Sequence, residues 1–209
     1  MKEANFVHTR NIRLFSIGAQ TLTGVGDARG LGWLGRVLAK TEIPDLQIES
    51  YPLVFPNETT EEMSDRWEHE VLPRLATEDI ENRMIIAVPH DPVAMAGSSA
   101  RARLHLANIL DRAKQHNIAT FVVGPTPTQD HETNRHLAQL NEAYQGVAER
   151  RDVLYVDAFT DLVNHQNFNE DLMVNEGLPG QAAYGLIAWL VLNRGWFDWL
   201  GIVDPNING

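Results

Sequence analysis

MIIAV, residues 84–88, is apolar at every position. A strand with one wet face alternates apolar and polar side chains, so an unbroken run of this length fits a strand buried on both faces of a parallel sheet. Similar runs recur to either side. Ile12–Ile17 (IRLFSI), Gln47–Val54 and Ile118–Val123 read as strands, and Val153–Val156 as a short fifth. Between them lie longer stretches with helical spacing: about 31–40, Thr60–Ala76, about 99–116, His131–Arg150 and Gly180–Asn193. In the second of these, Met63, Trp67, Val71 and Leu75 fall on one face, and Thr59-Thr60-Glu61-Glu62 offers a hydroxyl cap followed by glutamates. Residues 164–175 read as a polar connection. Repeated strand–helix alternation predicts an α/β fold, a five-stranded parallel sheet with helices on both faces. Ligands of such sheets sit outside the carboxyl ends of the strands. The loops after Ile17, Val54, Val88 and Val123, and the loop before the last helix, therefore define where a site is expected.

The rest of the composition narrows the function. With 44% hydrophobic and 22% charged residues the chain is not a disordered one. Its length favours a single domain over 1–209, with 1–10 as an N-terminal extension and 195–209 as a C-terminal tail. There is no cysteine, which excludes disulfides, thiolate metal ligands and a thiol nucleophile. The net charge of −11, without a Lys/Arg cluster, argues against nucleic acid as a partner. The first 15 residues lack the apolar core of a signal peptide, and the apolar run Leu186–Leu192 is far short of the roughly 20 residues that span a bilayer. The expectation is a cytoplasmic protein with no membrane partner. Trp196 and Trp199 are expected to cover the core rather than a subunit contact, and a homo-oligomer stays open.

The segment Ser16–Arg36, SIGAQTLTGVGDARGLGWLGR, resembles the opening block of GDSL-type esterases of the SGNH-hydrolase superfamily. The resemblance continues through YPLVFPNETTEEMSDRWEHEVLPRL, FVVGPTPTQDHETNRHLAQL, VLYVDAFTDL and NEGLPGQAAYGLIAWLV, in the family's order. It implies a three-layer, flavodoxin-like arrangement. It also implies a site built from a Ser nucleophile, a Gly and an Asn for the oxyanion hole, and an Asp–His pair. At the matching positions this sequence has Gln20 for the Ser, Asn57 for the Gly, His90 for the Asn, Asn175 for the Asp and Leu178 for the His.

Those replacements bear directly on mechanism. An amide side chain supplies no nucleophile for an acyl-enzyme, and a leucine accepts no proton. Ordinary ester hydrolysis through these positions is not expected. Three readings follow: a non-hydrolytic pseudoenzyme that binds a small molecule in the former cleft, a repurposed enzyme, and an esterase with relocated catalytic residues. The expected ligand-binding residues are Gln20, Thr21, Asn57, Glu58, His90, Asp91, Asn175, Glu176 and Leu178. If chemistry persists as proton transfer, elimination or cyclisation, the candidates are His90, Asp91, Glu58 and Glu176. A carboxylate beside an imidazole raises its pKa, which makes His90 and Asp91 the pair to inspect. Asp91 has a competing role as an acceptor of loop N–H groups, and Glu58 and Glu176 read most simply as solvated. Among substitute groups, Ser16 reads as a strand hydroxyl bonded to neighbouring backbone, Ser98 and Ser99 as helix caps, and His165 as a loop residue. Thr21 and Thr23 lie near the cleft without an evident base. His131 and His136 are five apart, one beyond the spacing that aligns two imidazoles, so no metal is expected. No cofactor is expected either. The glycines of GVGDARGLG lack phosphate-loop spacing and read as tight-turn positions.

Overall fold

The computed structural model describes residues 9–76, 78–91 and 99–205. Five strands, β1 Arg10–Gly18, β2 Leu46–Val54, β3 Ile80–Ala87, β4 Ala119–Val123 and β5 Leu154–Val156, form one parallel sheet in the order β2-β1-β3-β4-β5. This is the doubly wound order whose direction reverses at β1, with β3 on its other edge. The expected MIIAV strand lies in β3, which starts four residues earlier. Its polar first half, IENR, sits at the open end of the sheet, where Glu81 accepts from Arg10 and Arg83 and is held at a pKa of about 2.

The alternation along each strand sorts side chains onto two faces. Leu14, Ile85, Phe121 and Val123 pack with α1 (Gly32–Ala39), α5 (Gln166–Val174) and α6 (Gln181–Val191). Phe15, Ile17, Met84 and Val122 pack with α2 (Thr60–Val71), α3 (Ser99–Gln115) and α4 (His131–Glu149). Helix α2 starts as its sequence suggests: the Thr59 hydroxyl accepts from Glu62 N–H while the Glu62 carboxylate accepts from Thr59 N–H. It ends at Val71, and Pro73 follows in a tight turn.

Two expectations are corrected. The supposed polar connection at 164–175 contains helix α5, whose Phe168 and Leu172 are buried one turn apart, and His165 caps it rather than decorating a loop. The helical series also ends earlier than 193. After α6 a wide turn at Leu192–Trp196, with Gly195 at φ +113°, leads into α7 (Phe197–Leu200). That bend drives Trp196 fully into the core, where its indole N–H donates to the buried Thr41 hydroxyl at 2.8 Å and its ring meets Phe121 edge-on. Among the described residues no helix is long and apolar enough to cross a membrane.

The Gly-rich loop is held by Asp27. Its buried carboxylate accepts from the N–H groups of Arg29, Leu31 and Gly32 at 3.0–3.1 Å and pairs with the Arg36 guanidinium. Two of these donors lie at the start of α1, whose orphan N–H groups need an acceptor. The Arg36 guanidinium holds the Asp27 carboxyl far below the usual carboxylate range. Gly24 and Gly32 touch across the loop so closely that a Cβ on Gly24 would lie 2.5 Å from Gly32 N.

Removing the Asp27 side chain leaves three N–H groups and a guanidinium without their acceptor, so Asp27→Ala should cost about 3 kcal/mol in denaturant unfolding. Because the folded-state pKa of Asp27 is depressed, its contribution is present above the unfolded value near pH ~4 and fades as pH falls below it. Asp27→Asn should therefore show a shallower loss of stability than wild type between pH 5 and 2 (roughly the window set by the unfolded value). An unchanged slope would show that the carboxylate is not the acid-sensitive group.

Candidate functional site

The strands deliver their loops to one cleft. β1 ends at Gly18, with φ +104°, and a Cβ there would lie 2.0 Å from the Ala87 carbonyl oxygen at the end of β3. The next residue, Ala19, donates its N–H to that same oxygen at 2.8 Å. The chain then makes one tight helical turn, Gln20–Thr23, with Leu22 buried beneath it. This places Gln20 and Thr21 in the wall of a cavity of about 200 Å³. Phe55, Asn57 and Glu58 enter from the loop after β2, His90 from the loop after β3, and Thr126, Pro127 and Thr128 from the loop after β4. Leu172 of α5, with Gly177, Leu178 and Pro179 from the α5–α6 loop, closes the remaining side.

Six expected site residues therefore line one cavity: Gln20, Thr21, Asn57, Glu58, His90 and Leu178. Asn57 adopts φ +55°, a left-handed conformation that asparagine tolerates better than most residues. Three expected residues lie outside the lining, and for Asp91 and Glu176 the simpler readings, a brace for N–H groups and a solvated carboxylate, describe their places. Asp91 is buried behind the cavity, where its carboxylate accepts from the N–H of Thr60 at 3.0 Å and from the Thr60 hydroxyl, bracing the start of α2. Asn175 lies outside the lining; its amide donates to the carbonyls of Gly26 and Leu178, both at 3.0 Å, and so fixes the shape of the α5–α6 loop. Glu176 is exposed at φ +55° and lies outside the cavity lining.

Glu58 is not a solvated carboxylate. Its side chain is 1% exposed and bonded to Arg66, which also donates to Glu70 at 3.0 Å and to the Leu53 carbonyl at 2.9 Å. Burial pushes the Glu58 carboxyl up from its ordinary value, against the pull of the guanidinium. His90 departs from expectation in the opposite sense. With Asp91 committed to Thr60, burial pushes the imidazole below its usual pKa, and a hydrogen bond with the Thr126 backbone only partly opposes this. Burial thus favours the neutral form of the ring. Ser16 is buried in β1 with its hydroxyl unpartnered, not bonded to neighbouring backbone. Ser99 opens α3, whereas Ser98 and Pro92 lie outside the described residues. Among the described residues no group of three or more His, Asp or Glu side chains is placed to hold a metal ion.

Sequence reasoning missed Phe55, Thr126, Thr128 and Leu172. The first three follow the ends of β2 and β4, which is itself the signal that could have found them. Leu172 carried no such signal, because the helix that presents it was read as a connection. Asp171, beside it, accepts from the N–H groups of Gly180 and Ala183 at 2.7 and 2.9 Å and so anchors the start of α6.

A parallel 2-1-3-4-5 sheet between two helical layers, with a cleft over its carboxyl edge, defines a flavodoxin-like, doubly wound α/β protein. Residues 16–186 match the GDSL-like lipase/acylhydrolase family, and the chain belongs to that family. A crystal structure of TesA superimposes with a TM-score of 0.69 at 15% identity, over 88% of this chain and 97% of that one. The psychrotrophic esterase EstA from Pseudoalteromonas sp. gives 0.68 at 15%, over 90% and 98%. Axe2, an acetylxylan esterase from Geobacillus stearothermophilus, gives 0.66 at 18%, over 91% and 98%. At these identities the likeness is one of fold. No curated protein matches the sequence.

The direction of the His90 shift is directly measurable. In a side-chain NMR titration its midpoint should lie below 6.5, and Asp91→Asn should leave that midpoint in place. A midpoint above 6.5 in the wild type would mean that a carboxylate does reach the ring.

Proposed function

We propose that this protein is a non-hydrolytic member of its family, which binds a small molecule in the cleft above the sheet and does not turn over esters there. The observation that carries this reading is the chemistry of the cavity wall. Where the family resemblance calls for a nucleophile and a base, the wall has Gln20 and Leu178. Among the described lining residues there is no serine, and the imidazole present, His90, follows β3 instead of preceding α6. An acyl-enzyme needs an alkoxide or thiolate and a partner to remove its proton. The threonines of the wall bring hydroxyls, but the structure pairs none of them with a base. What remains is a cavity with an apolar lining and a few convergent polar groups, the composition of a binding site.

A second reading, a repurposed enzyme, is favoured by one observation: the His90 ring, pushed toward its neutral form by burial, shares the cavity with Glu58. A neutral imidazole in a cavity is competent as a general base for proton transfer, elimination or cyclisation. Glu58 is a weaker candidate, because Arg66 occupies both of its oxygens.

The test is hydrolysis of a panel of short-chain p-nitrophenyl esters by the purified protein, beside Gln20→Ala and His90→Ala. The expected result is no rate above the protein-free background for any of the three. Hydrolysis that survives Gln20→Ala and disappears in His90→Ala would overturn the binding reading and establish a cleft rebuilt around His90.

A further inference from the structure

The cavity has an unusual balance of charge. Its described lining contains neither Lys nor Arg, and residues 92–98, which follow His90 and Asp91 in the chain, contain none in their sequence. The guanidinium bonded to Glu58, that of Arg66, is also engaged by Glu70 and the Leu53 carbonyl and has no donor pair to spare for an anion. The charged side chain that does line the cavity is the Glu58 carboxylate, in a protein whose net charge is −11. A carboxylate or phosphate entering here would lose its hydration without meeting a cationic side chain free to pair with it, since the Glu58 carboxylate already holds Arg66. The described lining thus offers an anion no counter-charge.

The other polar side chains of the described wall are the amides of Gln20 and Asn57 and the hydroxyls of Thr21, Thr126 and Thr128, with the His90 ring beside them. The side-chain amides of Gln20 and Asn57 each present two N–H donors and one carbonyl acceptor. The His90 ring is hydrogen-bonded to the Thr126 backbone and keeps its other nitrogen for a ligand, while both Glu58 oxygens are held by Arg66. The complement of that set is a group that both donates through N–H and accepts through C=O, with no formal charge. Val88, Val123, Pro127 and Leu178 supply apolar wall for whatever carries it. We infer that the cleft selects an uncharged, amide-bearing ligand with a compact apolar body, and discriminates against the corresponding carboxylate. This rests on the ligand-binding reading above and names the chemistry of its ligand.

The experiment uses the full chain and an isosteric pair of probes, phenylacetamide and phenylacetate, titrated by ligand-observed NMR at pH 7. Phenylacetamide should bind at least about tenfold more tightly than phenylacetate, a difference of about 1.4 kcal/mol. Gln20→Leu should reduce the amide's affinity several-fold and leave the acid's unchanged. Glu58→Gln removes the fixed charge and releases the Arg66 guanidinium, so it should raise the affinity for phenylacetate and shrink or reverse the preference. Because Glu58→Gln breaks a buried pair, its fold is checked by circular dichroism; if it unfolds, the wild-type comparison and Gln20→Leu decide alone. Equal or tighter binding of phenylacetate by the wild type overturns the inference, as does failure of both probes to bind at millimolar concentration. Failure of the ester test is separate: if esters are hydrolysed, the same two probes as competitive inhibitors still report whether the cleft prefers amide to acid.

Discussion

Asp27 is the point through which one wall of the cleft is tied to the rest of the molecule. A loop containing GVGDARGLG has little of its own to hold it: glycines lose more conformational freedom on ordering than any other residue. The Asp27 carboxylate offsets that by gathering three N–H groups from the loop and the start of α1, and by pairing with Arg36 one turn into the helix. Arg36 then lies over the Tyr184 ring of α6 at 5.9 Å, while the Tyr184 hydroxyl returns to the loop by donating to the Val25 carbonyl at 2.7 Å. Asn175 adds the last strut, from Gly26 to the loop that carries Leu178. First loop, last loop and two helices are thus one hydrogen-bonded unit, and the cavity lies beside it.

The opposite wall uses the same device with different residues. Asp91 holds the start of α2 through Thr60, and Glu58 is fixed through Arg66 to the body of that helix. Both carboxylates stand near the cleft, yet both are spent on structure. This explains how a site with several acidic residues in its sequence presents to its interior a single carboxylate and an imidazole that burial pushes toward its neutral form. A fold of this kind can change its chemistry by replacing wall residues, because the bracing groups lie one layer behind them. Fold and function separate at that boundary.

Much of the scaffold was legible from the chain. The apolar strands, the capping box at Thr59 and the helical face of Met63, Trp67 and Val71 are local patterns, each readable from the spacing of residues close in sequence. The parallel sheet with helices on both faces and the loops that meet at the cleft followed from the alternation and from the resemblance of the Ser16–Arg36 block, whereas the strand order came only with the structure. Helix α5 escaped because a nine-residue helix with two buried side chains, Phe168 and Leu172, gives too short a periodic signal among polar neighbours. The first half of β3 escaped because the polar residues Glu81 and Arg83 satisfy one another at the sheet's end, a contact that no window of sequence displays.

The candidate site divides in the same way. The sequence by itself determined which chemical groups are present: no cysteine anywhere, Gln20 where the resemblance calls for a nucleophile, Leu178 where it calls for a base, and His90 after the third strand. Only the tertiary structure decided which of them meet. Adjacent residues His90 and Asp91 part company because the Asp91 carboxylate finds the buried Thr60, 31 positions back along the chain. Glu58 turns inward because Arg66, eight residues on in α2, pairs with it, while Glu176 stays exposed to solvent. Side-chain identity is a property of the chain. The pKa, the exposure and the partner of each group are set by desolvation and by long-range contacts that exist only once the sheet has brought its loops together.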